Sequence, residues 1–216
     1  MKPIPVVWSR CHGLKKSAVS QNSNYVNQGA NRMNSPVIRA AVAKDVGDIY
    51  AVHRDSVVNL CAGHYTQQQI EGWLDGRDPS MYLAAVAEGS IWVADDGGIC
   101  GFVETAGDEV TKLFVRGHSA GGGVGAMLLA HAVSKIANGG HVRAYLEATT
   151  NAQPFYERHG FEVVGRGRFS HGRSQVELEI VKMERRLARV QTVSGAAPQN
   201  EREGASPLCP DRGFMD

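Results

Sequence analysis

Apolar positions along the chain recur with two different periods, and the switches between them lay out an order of elements. Val37-Ile38-Arg39-Ala40-Ala41 reads as a short strand after Pro36. Val46, Ile49, Tyr50, Val52, His53 and Val57 fall at helical spacing and predict a helix ending near Leu60, with Asp45 as its N-cap. Thr66 opens a second helix. Gln69 stands three residues on as in a capping box, Ile70, Trp73 and Leu74 form the apolar face, and Gly76-Arg77-Asp78-Pro79 ends it. Residues 80–88 read as a short helix or an irregular segment. Three strands follow at 90–95, 99–105 and 109–115. The turns Asp96-Gly97-Gly98 and Ala106-Gly107-Asp108 are so short that these strands must form an antiparallel meander. A helix from Gly123 to Ala137 is stopped by Asn138-Gly139-Gly140. The strand at 141–148, reached through that helix, should lie parallel to 109–115. A short helix at 151–159 ends at Gly160. A final hairpin finishes the sheet, and its last strand (QVELEIVKM) alternates strictly, which makes it a candidate for pairing across a homodimer.

This order predicts an α+β fold with a mixed, mostly antiparallel central sheet and flanking helices, rather than the repeated βαβ of a doubly wound fold. Residues 1–35 lack periodicity and are rich in Asn, Ser, Gln and Gly. They read as a disordered leader, or as sequence ahead of a true start at Met33, and the basic residues follow the apolar patch in the wrong order for a secretory signal. Residues 187–216 carry Pro, Gly, Ser and scattered charge with few large apolar groups, and read as a disordered tail. One folded domain is expected over 36–186. Formal net charge is +1, so no general attraction to nucleic acid or to a membrane surface is implied. No apolar run approaches the roughly 20 residues of a membrane span. Cys11, Cys61, Cys100 and Cys209 are widely spaced without a C-x-x-C pair, which argues against a disulfide framework or a metal site and for a reducing, cytoplasmic location.

Chemistry concentrates in EVTKLFVRGHSAGGGVGAMLL, from Glu109 to Leu129. A buried strand feeds a glycine-rich turn into a helix N-terminus, whose free N–H groups and dipole suit a phosphate. The turn lacks the Lys-Ser/Thr pair of a nucleoside-triphosphate loop, since Ala126-Met127 follows Gly125. It fits a dinucleotide fingerprint only loosely, through Gly121, Gly123 and Ala126 with Glu147 downstream, and the antiparallel meander before it speaks against that reading.

The segment resembles the pyrophosphate loop of the GNAT superfamily of N-acetyltransferases. Gly123 and Gly125 stand at the two glycine positions and Leu128-Leu129 at the helix leucines, while Ala120 stands where the family usually has Gln or Arg and Gly122 replaces a commonly basic residue. A second segment, Asn151, Phe155, Tyr156, Gly160 and Phe161, spaced Asn-x-x-x-Phe-Tyr-x-x-x-Gly-Phe, resembles the family's other cofactor segment. The resemblance implies a sheet splayed between its two central parallel strands and acetyl-CoA as cosubstrate, without a metal. It implies a grip on the cofactor by Phe114, Val115, Ala120, Gly121, Gly122, Gly123, Val124, Gly125, Ala126, Asn151 and Phe155. A backbone N–H near Phe114 or Val115 would hold the oxyanion. Tyr156 is implied as general acid to the thiolate, and Glu109 as base, with Glu104 and His118 as competitors. The acceptor is expected between the first two helices and the last hairpin, near His64, Tyr65 and Trp73, and is a small-molecule or peptide amine. The basic run around Arg166, Arg168 and Arg173 suits an acidic acceptor or faces solvent. The expected activity is transfer of acetyl to a primary amine by direct attack. The alternatives are a weakly catalytic acyl-CoA-binding regulatory domain and a nicotinamide-dependent oxidoreductase.

Overall fold

The computed structural model describes residues 35–170 and 177–188, so most of the expected leader and tail, together with Cys11, Cys209 and Arg173, lies outside the described residues. The elements in chain order are β1 (Val37–Ala40), α1 (Val46–Leu60), α2 (Gln67–Leu74), α3 (Leu83–Ala87), β2 (Ile91–Asp95), β3 (Ile99–Ala106), β4 (Glu109–Val115), α4 (Val124–Asn138), β5 (Arg143–Thr149), α5 (Gln153–Glu157), β6 (Glu162–Ser170) and β7 (Glu177–Arg186). Short 3-10 turns precede α1, α3 and α5, and another, Gly117–Ser119, follows β4. No helix among the described residues is long and apolar enough to cross a membrane.

The Thr66 hydroxyl accepts the Gln69 N–H while the Gln69 side chain accepts the Thr66 N–H, the expected reciprocal cap of α2. Asp45 behaves differently from the expected cap of α1. A 3-10 turn, Ala43–Asp45, intervenes before the helix, so the Asp45 carboxylate reaches back to the Val42 N–H (2.8 Å) and to the Arg39 guanidinium (2.6 Å). It ties the helix entry to β1 instead.

The seven strands form one sheet in the order β1-β2-β3-β4-β5-β7-β6. Pairing is antiparallel throughout except for β4 and β5, which are parallel. The last strand is not an edge. β7 is inserted between β5 and β6 and hydrogen-bonded on both sides, so it has no free edge for pairing across a dimer. Its alternation records one buried face, with Leu178 and Ile180, and one open face, with Glu177 and Glu179.

Apolar side chains fill both faces of the sheet. α4 packs Leu128, Leu129, Ala132 and Ile136 on Val103, Leu113, Val115 and Leu146. On the other face Ile49, Val52 and Val57 of α1, with Trp73 and Tyr82, cover Phe102 and Phe114. Gly101 of β3 sets the depth at which α4 seats. A Cβ there would lie 2.9 Å from Leu128 Cδ1, 3.0 Å from the Phe114 carbonyl oxygen and 3.1 Å from Val124 Cγ1. Gly101→Ala is therefore expected to overpack this contact and cost about 1–3 kcal/mol of stability, read as a lowered urea midpoint at unchanged m-value.

Candidate active site

β4 and β5 touch at one register position only, Glu109 opposite Tyr145, where the Tyr145 N–H donates to the Asp108 carbonyl at 2.8 Å. Beyond it the two strands part toward their C-terminal ends. The Arg116 N–H donates to the Cys100 carbonyl on the β3 side (2.8 Å). Alternation along an extended strand then turns the Val115 N–H the other way, toward the opening. Of the two expected positions for an oxyanion donor, Val115 is thus the one with its N–H on that side.

The glycine turn begins where β4 ends. Gly121 and Gly123 have φ of 82° and 88°, a left-handed conformation that side chains rarely tolerate, and Gly123 is the N-cap of α4. The Gly122 N–H is used internally by the Ser119 carbonyl (3.3 Å). The N–H groups of Gly121, Gly123, Val124, Gly125 and Ala126 have no protein acceptor, as expected at a first helical turn. Ala120 closes the 3-10 turn and brings no charge.

Across the opening, the end of β5 and the turn into α5 carry three buried polar atoms without a hydrogen-bond partner in the protein: Thr149 Oγ1, Asn151 Oδ1 and Tyr156 Oη. Asn151 does not cap α5. It lies inside a 3-10 turn, and its Nδ2 donates to the Leu60 carbonyl at the end of α1 (3.2 Å). Tyr156 is fully buried between Phe155 and Phe161, and burial holds its phenol protonated well above the usual tyrosine range. The Phe155 ring meets Gly125 of α4, where an added Cβ would sit 3.5 Å from Cζ, so the two motif segments close on each other. Buried polar atoms are almost always satisfied in a folded protein. Three orphans on one stretch, tied to the glycine turn by the Phe155–Gly125 contact, leave hydrogen-bonding groups available to a bound polar molecule.

A cavity of about 340 Å³ lies between the α1–α2 turn and the last hairpin, lined by His64, Tyr65, Gln69, Thr150, Arg168, Glu177 and Glu179. The expected acceptor region therefore holds a cavity, and His64 and Tyr65 line it. Trp73 does not. It is 2 % exposed and packed in the core, edge-on to the Tyr65 ring, because an aromatic on the inner face of α2 is drawn under the helix. The Tyr65 hydroxyl donates to the Glu179 carbonyl (3.3 Å), and burial pushes its pKa up, partly offset by Thr150. Gln69, Thr150, Glu177 and Glu179 escaped sequence reasoning. Positions 177 and 179 are two apart on an alternating strand, which was the available signal that they share a face.

The candidate bases separate clearly. Glu109 stands at the closed end of the parting, one strand length from Val115. Glu104 is committed elsewhere: a bulge brings it beside Lys112, whose Nζ contacts both carboxylate oxygens at 2.7 Å, and the Thr111 hydroxyl donates to Oε1 at 2.9 Å. The pair is buried, Lys112 lies 5.7 Å from the Tyr82 ring, and burial pushes its amine's pKa down. His118 is exposed on the turn after β4. Burial pushes the Cys61 and Cys100 thiols up to about 12 and about 11, so neither offers a thiolate at neutral pH. Among the described residues no group of His, Cys, Asp and Glu is arranged to hold a metal.

A mixed sheet parted at its single parallel pair, with a phosphate-competent turn on one side and a phenol on the other, defines an acetyltransferase architecture. The model of the acetyltransferase (GNAT) domain matches residues 61–183, more than half of the sequence, and the chain belongs to the GNAT acetyltransferase family. It is 28% identical over 133 residues to the uncharacterized N-acetyltransferase YafP of Escherichia coli strain K12, covering 61% of this chain and 85% of that one. A GCN5-related N-acetyltransferase structure from Rhodopseudomonas palustris superposes with a TM-score of 0.67 at 23% identity, covering 74% of this chain and all of that one. The PaiA N-acetyltransferase of Thermoplasma acidophilum, solved with coenzyme A, gives 0.58 at 20% identity over 71% of this chain and 100% of its own.

The buried Glu104–Lys112 pair yields a stability test. Lys112→Met strands a buried carboxylate and is expected to cost about 3–5 kcal/mol, whereas Lys112→Met with Glu104→Leu should recover most of that loss in urea unfolding.

Proposed function

We propose that this chain transfers the acetyl group of acetyl-CoA to the primary amine of a small polar acceptor, by direct attack and without an acyl-enzyme. The observation that carries the reading is the trio of buried orphan atoms at Thr149, Asn151 and Tyr156, together with a glycine turn whose N–H groups, that of Gly122 apart, have no acceptor among the described residues. In this reading the Gly121–Ala126 turn receives the pyrophosphate on backbone N–H groups alone, with no cation at Ala120 or Gly122. Asn151 and Phe155 flank the pantetheine arm, and the thioester lies between β4 and α5.

The acceptor enters from the cavity lined by His64, Tyr65 and Glu179. Its neutral nitrogen forms a bond to the thioester carbon, and the resulting oxyanion accepts a hydrogen bond from the Val115 N–H. The tetrahedral intermediate expels the thiolate of coenzyme A, and Tyr156 Oη gives that sulfur its proton. Burial keeps this phenol in its protonated form, the form that donates. The proton lost by the amine leaves through water, which Glu109, at the closed end of the parting, would reach only through such a chain, and a proton from the same water restores the Tyr156 phenol. The polar lining of the cavity supports a hydrophilic acceptor over an aryl or long-chain alkyl amine. The neighbour solved with coenzyme A is consistent with the cosubstrate.

Thiol release from acetyl-CoA with a panel of polar amines tests the proposal. Tyr156→Phe should lower kcat by about 10²–10⁴ while coenzyme A still binds. The same substitution removes a buried unsatisfied hydroxyl and should raise the melting temperature of the unliganded protein. Equal turnover by wild type and variant would rule out the acid role. Coenzyme A binding without turnover of any amine would favour a regulatory acyl-CoA-binding domain.

A further inference from the structure

We infer that Asp55, on α1, is a positioning residue for the pyrophosphate turn, and that α1 acts as the strut setting the width of the cofactor opening; this rests on the reading of the glycine turn given above. Because β4 and β5 share no ladder beyond Glu109 and Tyr145, nothing within the sheet fixes how far apart their C-terminal ends lie. α1 touches both. On the β4 side the Asp55 carboxylate accepts the Gly117 N–H, the first residue of the turn after β4, at 2.6 Å. Its second oxygen accepts Asn59 Nδ2 at 3.0 Å, one helical turn on, which fixes the carboxylate's orientation. On the β5 side the Leu60 carbonyl, five residues further along α1, accepts Asn151 Nδ2. Five residues of α-helix span roughly 7.5 Å, so one rigid segment carries both attachments.

Gly117 is fitted to this contact. A Cβ there would lie 3.0 Å from Asn59 Cβ, so any side chain would push the turn away from α1. A turn that grips an anion through backbone N–H groups alone depends on those groups being held in place beforehand, since no flexible cation can follow a displaced phosphate. Asp55 reaches the turn ahead of the free N–H groups of residues 121 and 123–126, and so holds it without occupying them.

Calorimetric dissociation constants for acetyl-CoA and for S-acetylpantetheine, which lacks the pyrophosphate, test the inference without knowledge of the acceptor. Wild type should bind acetyl-CoA more tightly. Asp55→Ala should weaken acetyl-CoA by roughly ten- to a hundredfold and S-acetylpantetheine, which the glycine turn does not grip, by much less. Asp55→Asn, which keeps an acceptor oxygen for Gly117, should recover part of the loss. Gly117→Ala should reproduce the selective loss, and stands in if Asp55→Ala does not fold. Unchanged acetyl-CoA affinity in Asp55→Ala and Gly117→Ala, or equal weakening of both ligands, overturns the positioning role. A wild type that binds the two ligands equally overturns the pyrophosphate reading of the glycine turn itself, and the inference with it.

Discussion

A single parallel ladder contact, Glu109 against Tyr145, is the constraint on which the rest of the site depends. Two neighbouring strands that part after one pairing leave a row of main-chain groups without ladder partners, and such groups are costly when shut away from water. The gap must therefore be lined by elements that hold it open and admit something able to hydrogen-bond. α4 caps one lip with its N-terminus, the turn into α5 forms the other, and α1 reaches both from across the sheet. The chain order that gives three helices before the meander and α4 directly after it puts cover on each face, so the parting is supported from both sides.

Much of this was legible in the residues. Helical spacing from Val46 to Val57, the Thr66–Gln69 cap, the short turns of the meander and the crossover through α4 each impose a local solution with few alternatives. The Asn151–Phe161 segment and the glycine turn pointed to one family because two separate matches agreed with one element order. Other features depend on register and on partners distant in sequence. Alternation says that β7 has two faces but not that it lies between β5 and β6. A bulge in the β3–β4 pairing brings Lys112 onto Glu104, and no spacing rule foretells a bulge. Asp55 and Gly117 are 62 positions apart, and neither residue type is unusual where it stands. Trp73 shows the opposite failure: its helical position was read correctly, but the inner face of α2 serves the core and not the cavity.

The electrostatics of the interior sort the ionisable groups by role. Glu104 and Lys112 neutralise each other with every carboxylate oxygen engaged, which makes them part of the framework. Cys61 and Cys100 are kept as thiols by burial, consistent with a mechanism that needs no acyl-enzyme. Tyr156 differs from all of these, since its hydroxyl is buried and uncommitted. A group held in one protonation state and given no partner by the protein is suited to act on a bound molecule rather than on the fold.

Gly101 acquires a further meaning beside that site. The missing side chain is what lets Val124 and Leu128 settle onto β3, and Val124 is also the first residue of the helix whose opening turn is the proposed pyrophosphate site. The angle at which those N–H groups are presented is thus governed by a notch on a strand that never meets the ligand. A single methyl group of clearance, on the far side of β4 from the parting, acts as the elevation screw of the N-terminal end of α4.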